Sequence, residues 1–152
     1  MFRQSAGTGI TNRRLVIVAA MAGTFLSALD SSIVGPAMPT IIGQLGGLSL
    51  YSWVFSAYLL TSTTTVPLYG RLSDMYGRKP LFVISAALFV LGSALCGLAQ
   101  SMEQLVAFRA IQGLGAGGIV PVTFTILGDL FSVEERAKMA GLFSAIWGAS
   151  AV

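Results

Sequence analysis

Residues 81–98, LFVISAALFVLGSALCGL, hold 18 positions without a single charge, and that run limits what the chain can become. Crossing the hydrocarbon core of a bilayer as a helix takes about 20 apolar residues. Comparable stretches recur along the chain. The first covers 15–34 and is interrupted only by Asp30. The second, 49–69, carries no charge, and the fourth covers 103–127, whose apolar part bears the single charge Arg109. A fifth begins at 139 and reaches 152. The run at 81–98 does not alternate polar with apolar, so helices are expected rather than strands of a barrel. The expected fold is an all-α polytopic membrane bundle with four complete spans and the start of a fifth, preceded by a tail at 1–14.

Composition agrees with this. Charged residues make up 10% and hydrophobic residues 55%, against about 25% charged in soluble domains. Disorder needs the opposite balance. Histidine is absent and Cys96 is the only cysteine. Cys/His zinc sites, a histidine base and an internal disulfide are thereby excluded, and no metal or cofactor is expected. The first run is followed by Asp30 and Pro36 rather than a small-residue cleavage site, so it does not read as a signal peptide.

The charges sort into clusters between the spans. Eight of the nine Lys and Arg fall in the N-terminal tail, the second-to-third loop or the fourth-to-fifth loop. The stretches 35–48 and 99–104 have none. Positive residues stay on the cytoplasmic side, which predicts a cytoplasmic N-terminus. The net charge of +3 is thus a topological signal, and no nucleic-acid partner is expected.

Two intramembrane charges stand out. An Asp or Arg at a helix centre costs ~2.5–3.5 kcal/mol on insertion scales, so each should face protein or water. Asp30 lies ~9 Å before Pro36 and Arg109 ~7–10 Å past the outer start of its span, at 1.5 Å per residue. The first span runs outward and the fourth inward, so the two reach similar depth and can pair. Gln112 and Gly113 share the Arg109 side at i+3 and i+4. Snorkelling to the outer interface is a neutral alternative for Arg109.

Thr61, Ser62, Thr63, Thr64 and Thr65 make the second span polar. Two readings stand side by side. The hydroxyls bond back to carbonyls of the preceding turn, or they wall a polar cavity. Gly113-Leu-Gly115-Ala-Gly117-Gly118 matches the G-x-G-x-x-G of dinucleotide sites in letters only, since no strand precedes it and Pro121 follows. Gly113 and Gly117, at i and i+4, instead predict a small-residue face for close helix packing.

Three motifs together resemble the major facilitator superfamily of transporters. Gly70-Arg71-Leu72-Ser73-Asp74-Met75-Tyr76-Gly77-Arg78-Lys79 is similar to its second-to-third-loop signature. Leu105, Arg109, Gln112, Gly113, Gly115 and Ala116 resemble the fourth-span motif associated with proton coupling. Leu29-Asp30-Ser31-Ser32-Ile33-Val34, followed by Ala37-Met38-Pro39, resembles the first-span motif of the fourteen-span drug:proton antiporters, with Ser32 for the usual Thr and Gly35 for the usual Asn. The resemblance covers the chain from Leu15 onward.

It implies a non-enzymatic efflux transporter working by alternating access, with small hydrophobic or cationic compounds and protons as its cargo. Asp30, Arg109, Gln112 and Tyr58 become proton-coupling or substrate candidates. Gly70, Asp74, Gly77, Arg78, Lys79 and Asp129 become gate candidates, with Asp74, Arg78 and Asp129 forming a charge cluster that latches the outward-facing state. The expected surroundings are the plasma membrane, a bacterial inner membrane in particular, and the remaining spans of a longer parent. An importer or uniporter of sugars or other metabolites on the same fold is the alternative.

Overall fold

A computed structural model describes residues 13–130 and 132–150. The tail through residue 12, Arg3 included, and residues 151–152 of the fifth span lie outside the described residues. Five helices follow one another: α1 (Arg13–Leu45), α2 (Tyr51–Tyr76), α3 (Arg78–Gly97), α4 (Met102–Leu130) and α5 (Val133–Ser150). No strand occurs among the described residues.

Among the described residues, stretches 17–45 and 102–129 and all of α3 are long and apolar enough to cross a membrane. α2 matches them in length, with 26 residues. Its hydroxyl run and its aromatic start make it less apolar. α5 opens on Glu134 and Glu135.

The first helix differs from expectation. It continues past residue 34 through Pro36 and Pro39 to Leu45, where the sequence suggested a loop over 35–48. Proline removes a donor and usually ends a helix in water. Here tertiary packing carries the helix on: Met38 is buried against Val54, Met102 and Leu105, and Ile41, Ile42 and Leu45 pack onto the same cluster. The connection to α2 is therefore short: Gly46 and Gly47 in left-handed conformation, then a 3-10 turn at Leu48–Leu50. Gly47 must be glycine for a second reason, since a Cβ there would lie 2.7 Å from the Met102 Cβ.

The turn between α2 and α3 is a single residue. Gly77 has φ +91° and its N–H donates to the Ser73 carbonyl at 3.1 Å. Gly70, a gate candidate, lies inside α2. The later helices begin on hydroxyl caps. Ser101 Oγ accepts from the Gln104 N–H at 3.3 Å. Ser132 and Glu135 bond reciprocally, as in a capping box, at 3.0 and 3.4 Å.

α4 sits centrally, packed against α1, α2 and α3, while α5 lies along α1. At one end Met38, Val54, Met102 and Leu105 form a buried cluster. At the other, Tyr69, Leu81 and Val122 pack together, and Ala20 meets Leu127. The turns after α1 and α3 thus share one end. The Gly77 turn and the end of α4 share the other, together with Arg71, Arg78 and Lys79.

Candidate functional site

The chemistry-bearing residues meet where α1, α2 and α4 face each other, with α3 behind. α4 approaches its neighbours through glycine. A Cβ on Gly113 would collide with Thr61 and the Tyr58 carbonyl, and one on Gly117 with Thr65 and the Ser62 carbonyl, all on α2. On its other side, a Cβ on Gly115 would strike the Phe89 amide and the Ser85 carbonyl of α3. Helix backbones are thus in direct contact on two faces of α4, as small residues permit in membrane bundles.

This close approach brings Arg109 to Asp30. Arg109 Nη1 donates to Asp30 Oδ2 at 2.7 Å and to Gln112 Oε1 at 2.8 Å. Gln112 Nε2 in turn donates to Asp30 Oδ1 at 2.8 Å. Both carboxylate oxygens are therefore occupied. The Arg109 side chain is 4% exposed and that of Asp30 12%, so this is an ion pair sheltered inside the bundle and not a snorkelling arginine. Among the described residues Arg109 Nε has no hydrogen-bond partner. The guanidinium lies 4.4 Å from the centre of the Tyr58 ring, within cation–π range. The Cys96 thiol reaches Gln112 Oε1 at 3.7 Å. All four coupling or substrate candidates are in one cluster.

Beside it lies a cavity of about 650 Å³ between α1, α2 and α4. Ser27, Ser31, Tyr58, Ser62, Thr63 and Phe124 are on its wall. Among the described residues no charged side chain lines it; Asp30, Arg109 and Gln112 are not on its wall, and Arg109 lies over the Tyr58 ring. The bond-back reading of the hydroxyl run holds, whereas the cavity it borders is mainly apolar rather than polar. Thr61, Ser62, Thr64 and Thr65 all donate to carbonyls three or four residues earlier. Ser62 and Thr63 nonetheless face the cavity.

The gate candidates form a separate group, roughly 30 Å along α4 from Arg109 by helical rise. Arg78 pairs with Asp129 and donates from Nη1 to the Thr125 carbonyl at 2.7 Å. Asp74 is 4.0 Å from Arg78 Nη2 and largely exposed. α3 itself starts at Arg78 after Gly77, without a side-chain cap. Gly70 and Lys79 are exposed, and a Cβ on Gly70 would meet open space. Among the described residues no group of three or more His, Cys, Asp or Glu is placed to hold a metal.

Sequence reasoning missed four participants: Ser27, Ser31, Gly92 and Cys96. Ser27 and Ser31 stand one helical turn apart on α1 beside Asp30, a spacing that could have flagged a polar stripe. Nothing in the pattern singled out Gly92 or Cys96.

The sequence comparisons agree with this architecture. The family model for the Major Facilitator Superfamily matches residues 20–152. Multidrug resistance protein 3 of Bacillus subtilis is 46% identical over 139 residues, covering 91% of this chain and 27% of the relative. The multidrug transporter protein MdtP of the same organism is 47% identical over 142 residues, covering 93% and 26%. The efflux pump FUS6 of Gibberella fujikuroi is 44% identical over 138 residues, covering 91% and 25%. The chain thus spans about a quarter of the length of these relatives. With the family model covering most of its length and glycine-packed helices around a sheltered ion pair, the chain belongs to the Major Facilitator Superfamily.

Proposed function

We propose that this chain is the N-terminal portion of a proton-coupled efflux transporter that exports hydrophobic or cationic small molecules by alternating access. It is not an enzyme. The observation that carries the reading is the sheltered Asp30–Arg109–Gln112 cluster set beside an uncharged cavity. A carboxylate's affinity for a proton depends on water access and on the guanidinium beside it. A transporter that alternately opens and closes such a site changes that affinity within each cycle. The names of the curated relatives, multidrug and efflux proteins, support export.

The cavity would receive cargo from this half, with the remaining spans supplying the opposite wall. The Asp74–Arg78–Asp129 group would act as the latch at the cytoplasmic end. The Lys/Arg distribution supports a cytoplasmic N-terminus in a multi-pass plasma-membrane protein, a bacterial inner membrane protein in particular. The test is reconstitution of the full-length transporter in proteoliposomes with an imposed pH gradient. Accumulation of a lipophilic cation against its own gradient, collapsing with a protonophore, supports the reading. Downhill sugar equilibration without proton movement would favour the importer or uniporter instead.

A further inference from the structure

Asp30 is not available to cargo as it stands. Its two oxygens are taken by Arg109 and Gln112, and it is absent from the cavity wall. A cationic compound in the cavity therefore cannot replace the proton by touching the carboxylate. Yet one residue belongs to both places. Tyr58 lines the cavity and also holds the Arg109 guanidinium against its ring at 4.4 Å. The guanidinium is buried, and its Nε has no hydrogen-bond partner among the described residues. Its orientation thus depends on three partners: Asp30, Gln112 and the ring.

We propose that Tyr58 is the positioning residue that transmits cargo occupancy to Asp30, through the ring's grip on Arg109. The proposal rests on the proton-coupled reading above. Cargo packed against the cavity side of Tyr58 fixes the ring, which keeps the guanidinium seated on the carboxylate and so opposes its protonation. A proton on Asp30 removes the ionic partner of Arg109. The guanidinium then leans on the ring, and the ring shifts away from its cargo-holding position. Linkage makes the two effects reciprocal: whatever cargo does to the proton, the proton does to cargo. The titratable and charged groups facing the carboxylate are Arg109 from α4, Tyr58 from α2 and Cys96 from α3.

The experiment measures binding of tetraphenylphosphonium to the full-length transporter in nanodiscs across a pH series. Wild type should bind more weakly as pH falls. Tyr58→Phe keeps the ring face and should keep that pH dependence. Tyr58→Leu removes the ring, and the ratio of high-pH to low-pH affinity should shrink roughly tenfold, whatever its absolute affinity. Asp30→Asn separates the two levels of the argument. Full pH dependence in Asp30→Asn overturns the proton-coupled reading itself. A pH-flat Asp30→Asn with wild-type pH dependence in Tyr58→Leu overturns the role of Tyr58 alone. Should Tyr58→Leu fail to fold, Tyr58→Phe still decides: loss of pH dependence there assigns transmission to the hydroxyl and sinks the ring mechanism.

Discussion

Gly92 of α3 and Gln112 of α4 touch backbone to backbone: a Cβ added at Gly92 would lie 2.5 Å from the Gln112 Cα. Gln112 is fully buried and bridges Arg109 to Asp30, so this contact sets the depth of the whole cluster. Because the obstacle is backbone, no rotamer change relieves it. Gly92→Ala should cost about 1–3 kcal/mol, as overpacking does. Thermal unfolding of the full-length transporter in detergent checks this. Gly97→Ala, where a Cβ meets open space, should leave the melting temperature unchanged.

Asp30→Asn should abolish proton-driven efflux while leaving a folded, inserted protein that still binds neutral ligands. The amide preserves size and can accept from one of the two donors, Arg109 or Gln112, but its NH2 cannot accept from the other, and it carries neither charge nor a titratable acid. Asp30→Glu should retain partial activity with a displaced pH profile, because the longer arm disturbs the 2.7 Å contact with Arg109. Efflux rates in vesicles across pH settle the matter. A wild-type rate in Asp30→Asn against a gradient reduces the pair to scaffolding.

At the opposite end of α4, two carboxylates share Arg78 unequally. Asp129 is in direct contact, whereas Asp74 is 4.0 Å away and exposed. Exposed pairs contribute at most about 1 kcal/mol. Both Asp74→Asn and Asp129→Asn should slow transport without affecting insertion, and Asp129→Asn should slow it more. Initial efflux rates at matched expression give the comparison. Equal and normal rates would remove the latch from the mechanism.

Single cysteines at positions 46, 73, 101 and 132, in the full-length protein lacking Cys96, test the topology. Positions 46 and 101 should react with an impermeant reagent in intact cells, and positions 73 and 132 only after permeabilisation. External labelling at 73 inverts the orientation drawn from Lys and Arg.

Much of this was readable before any coordinates. Apolar length alone marked the helices at 81–98 and 103–127, because membrane spans are long and their pattern needs no partner to be recognised. Counting helical rise placed Asp30 and Arg109 at one level, and the structure joins them. What escaped depends on three-dimensional juxtaposition. The continuation of α1 through Pro36 and Pro39 follows from the surroundings of that backbone, which propensity does not encode. Gly92 looks like any other small residue until Gln112 is set against it. The hydroxyl run could not be apportioned between backbone and cavity, because helical rotation decides which side chains face inward.

The glycine contacts on both sides of α4 have a mechanical consequence. With backbone seated on backbone, α2, α3 and α4 leave little freedom to slide or turn, and they form a rigid slab. α1 meets this slab through side chains, such as Ile119 and Phe82 beside Gly23. Arg109, Gln112 and Tyr58 belong to the slab, and Asp30 belongs to α1. The ion pair therefore straddles a seam, so that any displacement of α1 against the slab is felt first at the carboxylate.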